Sequence, residues 1–257
     1  KSLKAGDKVY WNQKDKSVIL AVIGKEPVHE GIKIVGSHID SPRLDLKANP
    51  VHEQDGIVYF RTHYYGGIKK YQWTCIPLAL IGVVFTKDGK KVDINIGLKD
   101  SDPVFYISDL LIHMAQDQMK KTLAEGITGE QLQAVAGTHS EEGQTPKDAI
   151  MALLKKEYGI EEEDFAAAEL ELVPATKSRD VGFDRSLIAS YGQDDRVCSY
   201  ANLEAILDAK PGVKTQAALL TDKEEIGSYG NTGMESSYFV KFVMKLLALQ
   251  GQGSLLD

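Results

Sequence analysis

TQAALLTDKEEIGSYGNTG, residues 215–233, decides the fold. Its first seven residues form a short, mostly apolar run that reads as a buried strand. Asp222, Glu224 and Glu225 follow at once, then a bend carrying Gly227, Gly230 and Gly233, then an apolar helical stretch over residues 234–250. Strand, bend and helix in that order make an α/β unit. In open α/β sheets, ligands gather at the carboxyl ends of strands. Three acids crowded there repel one another unless a cation, a proton or a base compensates. A glycine cradle for phosphate is the rival reading. The spacing matches neither GxGxxG nor a P-loop, and two glutamates at the entrance oppose an anion. A solvated acidic turn is the plain alternative.

Two other corners share the pattern of polar groups at the ends of elements. GSHIDSP, residues 36–42, places His38 directly after an apolar strand, with Asp40 two residues on. Positions i and i+2 of an extended chain point the same way, so the Asp40 carboxylate is expected to reach and orient the imidazole. The bland reading is a strand-end histidine before an Asp-Ser-Pro turn. YGQDDR, residues 191–196, opens a helix with Asp194 and Asp195. One aspartate there is an ordinary N-cap. Two exceed what a cap needs, and Arg196 neutralises only one. Together the corners offer one histidine, several carboxylates and no thiolate. That donor set suits zinc, manganese or cobalt, and is common in two-metal hydrolytic sites.

Outward from these corners, residues 8–23 read as a hairpin turning at 12–17, and 31–35 as a further strand ending at Gly36-Ser37-His38. Residues 56–65, 76–85 and 90–96 are β-type runs between Gly, Asp and Lys turns, which implies a mostly antiparallel unit. Leu111, Met114 and Met119 are spaced as on a helix over 108–123, and His113 reads as a half-buried helix-face or strand-end histidine beside Leu110, Leu111 and Met114. Residues 147–158 and 196–210 read as helices and 168–175 as a strand. The chain is therefore expected to be an α/β domain, residues 1–47 and 175–257, interrupted by a β-rich insertion, 48–174.

Bulk properties narrow the function. The 257 residues carry a net charge of −7, which argues against a nucleic-acid-binding surface. The longest apolar stretch, 76–85, is too short to cross a bilayer and contains Pro77 and Gly82, so no membrane role is expected. The opening KSLKAGDKVYW has no leader-like apolar core. Cys75 and Cys198 lie far apart in largely apolar surroundings and read as buried free thiols in a reducing cytoplasm.

In order, His38-Ile39-Asp40-Ser41-Pro42, Asp194-Asp195 and Asp222-Lys223-Glu224-Glu225-Ile226-Gly227-Ser228 resemble the metallopeptidase family of aspartyl aminopeptidase and vacuolar aminopeptidase I. Tyr65-Gly66-Gly67 and Pro77-Leu78-Ala79-Leu80 look like the start of that family's inserted domain. The resemblance implies a mixed-sheet α/β metallopeptidase domain interrupted by a β-rich dimerisation domain. It implies two divalent metal ions, zinc first and manganese or cobalt as alternatives. His38, Asp194 and Glu225 would be ligands, Asp194 bridging the metals. Asp40 would orient His38, and Glu224 would be the general base in removing N-terminal residues from peptides. It further implies homodimers that build a tetrahedral dodecamer, and a histidine, His113, that the insertion delivers into a neighbouring subunit's site.

The family draws one more aspartate and one more histidine from sequence after the DxEEIGS helix. The polypeptide is accordingly expected to continue beyond Asp257 and to begin before Lys1, and the 257-residue chain alone to be inactive. His29, His52, His63 and His139 lie outside that motif. Two alternatives stand beside the aminopeptidase: a metal-free assembly subunit of the same fold, and a carboxypeptidase or deacylase of a related two-metal clan.

Overall fold

The computed structural model describes residues 2–251. Along the chain the strands are β1 (Lys8–Gln13), β2 (Ser17–Val22), β3 (Ile32–His38), β4 (Arg43–Gln54), β5 (Ile57–Tyr65), β6 (Pro77–Phe85), β7 (Lys91–Ile96), β8 (Phe105–Tyr106) and β9 (Ala134–Gly137). Helix α1 (Pro146–Tyr158) precedes β10 (Ala168–Pro174), β11 (Arg179–Val181) and β12 (Leu187–Ala189). Then come α2 (Gln193–Asp208), β13 (Thr215–Thr221) and α3 (Tyr238–Leu249). The result is a mixed α/β protein of two compact units, Lys1–Ser41 with Gly192–Asp257, and Pro42–Tyr191. These borders fall outside the 48–174 read from sequence. β4 runs through residue 48 and the β11–β12 hairpin follows β10, so both elements join the β-rich unit.

In the first unit four strands pair in the order β1-β2-β13-β3. β1, β2 and β13 are antiparallel neighbours, and β13 runs parallel to β3. The hairpin forms as its pattern predicts. β13 is buried along nearly its whole length, as an interior strand with the apolar run Ala217–Leu220 should be. Helix α3 covers one face: Tyr238, Phe242, Leu246 and Leu247 pack with Ile19, Ile23, Ala217 and Leu219. Their i, i+4, i+8 spacing is what a helix needs to bury one stripe.

In the second unit seven strands pair antiparallel in the order β10-β4-β5-β9-β8-β6-β7. β10 also pairs with β6, closing the sheet on itself. Closure joins six strands in a ring with β7 as an outer edge, and encloses a core that includes Leu44, Phe60, Leu78, Leu132 and Leu172. Helix α1 starts on a capping box between Thr145 and Asp148 and ends on left-handed Gly159.

Three expectations fail here. Residues 108–123 form no α-helix, only turns and a single 3-10 turn at Gln118–Lys120. Leu111, Met114 and Met119 are all about 70% exposed, so the helical spacing has no surface to bury against. The Asp109 carboxylate instead accepts hydrogen bonds from the Leu110 amide and the Gln118 side chain, a local competitor to helix. His113 is consequently exposed on a loop rather than half-buried on a helix face. Both cysteines are exposed too. Cys75 sits in a turn with φ of 60°, and Cys198 lies on an outward face of α2.

Candidate metal centre

Parallel pairing of β13 with β3 brings the corners together. Thr221 is the register partner of His38, and the Ile39 amide donates to the Thr221 carbonyl at 2.8 Å. Both strands therefore end level, with GSHID and TDKEE at the same sheet end. Helix α2 is pinned to this end by hydroxyls. Ser199 Oγ donates to the His38 carbonyl at 2.8 Å and lies 2.9 Å from Ser37 Oγ, to which Asn202 Nδ2 donates at 3.0 Å. That contact places the start of α2, where Asp194 resides, against His38.

The imidazole is held on both sides. His38 Nδ1 donates to the backbone carbonyl of Asp40 at 3.0 Å, and Nε2 lies 3.1 Å from Asp194 Oδ1 and 3.8 Å from Glu224 Oε2. Burial lowers the basicity of His38. The Asp40 carbonyl and the carboxylates of Asp40, Glu224 and Asp194 more than offset this, leaving its pKa above the ordinary value. With Nδ1–H committed to a carbonyl, Nε2 is the atom left to meet Asp194. Two such groups 3.1 Å apart need a proton or a cation between them. Among the described residues, donor atoms of His38, Asp194 and Asp195 lie within 4.8 Å of one another. This nitrogen-and-oxygen set fits a zinc-like ion.

Asp40 does more than the i, i+2 geometry predicts. Its buried carboxylate stays 3.5 Å from His38 Nδ1 and accepts the backbone amides of Glu224 and Glu225, each at 3.2 Å. Orientation of the imidazole thus comes chiefly from the Asp40 backbone, while its side chain aims the Glu224-Glu225 turn. Burial pushes the Glu225 carboxyl above the usual range; His38 opposes the shift, and Asp40, Glu224 and Asp194 add to it. Several like charges around one half-buried acid suit a cation.

The paired aspartates divide their work. Asp194 and Asp195 have non-helical dihedrals, so the regular helix starts after them, and the peptide between them is cis. Asp195 Oδ1 accepts the Cys198 amide at 3.3 Å, the geometry of an N-cap. Asp194 is left with a side chain 87% exposed and directed at His38. Asp222, the third acid of its corner, turns inward: its Oδ2 accepts from Thr232 Oγ1 at 2.6 Å. It is a buried structural carboxylate. Sequence reasoning missed Ser37, Ser199 and Asn202, because single hydroxyls and amides 162 or more residues apart leave no local signal.

A family model described as "Aminopeptidase I zinc metalloprotease (M18)" matches residues 1–257. The chain is 51% identical over 254 residues to the probable M18 family aminopeptidase 1 of Clostridium acetobutylicum, covering 97% of this chain and 55% of that protein. It superposes on the M18 aminopeptidase of Thermotoga maritima with a TM-score of 0.92 at 44% identity, over 96% of this chain and 55% of the other. Aminopeptidase I of Clostridium acetobutylicum gives 0.91 at 48% identity, over 98% and 56%. A yeast mApe1 dodecamer shares the fold at 19% identity with a TM-score of 0.70, over 95% and 56%. The chain spans about half the length of the curated relatives it matches. A histidine and an aspartate facing across a sheet end, in a chain matched over its whole length, lead to one conclusion: the chain belongs to the M18 family of aminopeptidases.

Proposed function

We propose that the full-length polypeptide removes N-terminal residues from peptides at a pair of divalent cations, with zinc the first choice. The observation that carries this reading is His38 Nε2 set 3.1 Å from Asp194 while Nδ1 is locked by the Asp40 carbonyl. His38, Asp194 and Glu225 would hold metal, Asp194 between the two ions, with further ligands from sequence outside this chain. When bound, such cations supply Lewis acidity, polarising a peptide carbonyl and easing deprotonation of water. Glu224 stays off the metals, receives the proton of the attacking water and returns it to the departing amine. Its carboxylate is 58% exposed and lies 3.8 Å from His38 Nε2, while its backbone amide is held by Asp40, so the side chain has room to swing between those positions.

The assembly reading is a homodimer that builds a dodecamer. It rests on the exposed apolar loop of Leu110, Leu111, Ile112 and Met114, which suits contact with a second copy, and on the dodecamer of the distant yeast relative. Two exposed, unbridged cysteines suit a reducing compartment, which favours the cytoplasm. Among the described residues no helix is long and apolar enough to cross a membrane.

The decisive experiment is Glu224→Gln in the full-length polypeptide. Turnover of an aminoacyl substrate should fall by about three powers of ten or more, with metal content by elemental analysis near normal. Activity within a few-fold of the parent would sink the assignment of the base.

A further inference from the structure

The loop that carries Glu224 and Glu225 is bent against its own preferences. Lys223 and Ser228 have φ of 71° and 65°, and Gly227 and Gly230 have 83° and 109°. Non-glycine residues avoid that region, so the loop needs an outside restraint to stay in one shape. The restraint lies at its two ends. Asp222, where the loop leaves β13, and Thr232, where it ends, are both nearly fully buried, as is Ser17 at the start of β2. Thr232 Oγ1 donates to Asp222 Oδ2 at 2.6 Å. Ser17 Oγ accepts the Asp222 amide at 2.9 Å and donates to the Thr232 carbonyl at 2.7 Å. The Lys223 ammonium adds a weaker contact, 4.0 Å from the same Asp222 oxygen.

We propose that Thr232 and Ser17 are positioning residues for the Glu224-Glu225 turn: they staple the two ends of the loop to β2 and to each other, so that the turn meets Asp40 and His38 in one geometry. Neither residue touches the metal donors. Their effect runs through the backbone, which Asp40 then grips at the Glu224 and Glu225 amides. The neighbouring Gly233 shows how tight the closure is. A Cβ there would stand 2.1 Å from the Ser228 carbonyl oxygen, so the loop end packs backbone on backbone. A closed ring of buried hydrogen bonds is stable only when complete, because each partner lost leaves another unsatisfied. A catalytic group displaced by about 1 Å loses roughly a hundredfold in rate.

The kinetic part of this inference rests on Glu224 being the base, so the test includes a readout independent of activity. In the full-length polypeptide, Thr232→Val keeps the shape and removes the hydroxyl, and Thr232→Ser restores it. Hydrogen exchange at the Gly227 and Ser228 amides, which bond to the Glu224 and Lys223 carbonyls, should quicken at least tenfold in the valine variant, while β13 is unchanged. kcat should fall about tenfold to a hundredfold with KM within twofold, and the serine variant should recover both readouts. Ser17→Ala, which opens the same ring from the other side, is read identically if the valine variant fails to fold. Unchanged exchange in the loop overturns the staple, whatever the activity. Faster exchange with unchanged kcat overturns the positioning role. A fully active Glu224→Gln would instead refute the base and leave the exchange result to judge the staple.

Discussion

The sheet end around His38 and the loop around His113 treat apolar and polar residues in opposite ways. At the sheet end, polar groups are bound to partners: His38, Asp40, Asp222, Ser199 and Thr232 all hold named hydrogen bonds across long stretches of sequence. In the loop, apolar groups are left facing outward, with Leu111 at 70%, Ile112 at 62% and Met114 at 71% exposure. A bound polar cluster is a finished local structure, since its cost of desolvation is offset by hydrogen bonds within the unit. An exposed apolar loop is unfinished, because its burial has to come from somewhere outside its own unit. The contrast separates a region whose polar groups are already satisfied from one whose apolar groups face outward.

The hardest blow to the first region is Asp194→Ala in the full-length polypeptide. On the proposed reading Asp194 bridges two cations and has no substitute, so both metal and activity should be lost, activity by about three powers of ten or more. Elemental analysis showing two metals retained would mean that the bridge lies elsewhere, with Asp195 the next residue to test.

The second region is tested by mixing. His113→Ala and Glu224→Gln proteins, each nearly inactive, should recover a substantial fraction of parental activity once their subunits exchange, because some sites then receive a parental histidine from a neighbour. Subunit exchange proven by mass spectrometry without recovered hydrolysis would end the idea of delivery in trans.

The smallest effects are on stability, and here the two regions should differ in size. Leu219→Ala removes a side chain packed against α3 in the first unit and should cost about 2–5 kcal/mol in urea unfolding. In the separated subunit, Leu111→Ala removes a side chain that faces solvent and should stay within about 0.5 kcal/mol. Equal losses at the two positions would erase the distinction between a packed core and a surface held open.

The candidate site was legible to different depths. The order of its three corners could be read because each sits at the end of a strongly patterned element, and strand, bend and helix leave local traces. The job of Asp40 was half legible. Its spacing from His38 was right, yet its carboxylate is drawn to the amides of Glu224 and Glu225, 184 and 185 residues away. By sequence Asp222 stood together with Glu224 and Glu225. Only Thr232 and Ser17, one of them 205 residues distant, show that it is a buried anchor. The cysteines misled for the same reason: apolar neighbours in sequence do not say which way a side chain faces.

By itself the sequence determined the hairpin of β1 and β2, the central strand β13, the helix α3, the antiparallel character of the β-rich unit and the family to which the corners belong. Each rests on spacing or motif within a short window, where backbone preference and hydrophobic period act directly. Tertiary structure alone decided that β13 lies parallel to β3 and so levels the two corners, that Asp222 turns inward onto Thr232 and Ser17, and that residues 108–123 form no α-helix. Those outcomes depend on which surfaces are available to pair with or to bury against. A short window of sequence carries no record of what lies opposite it in space.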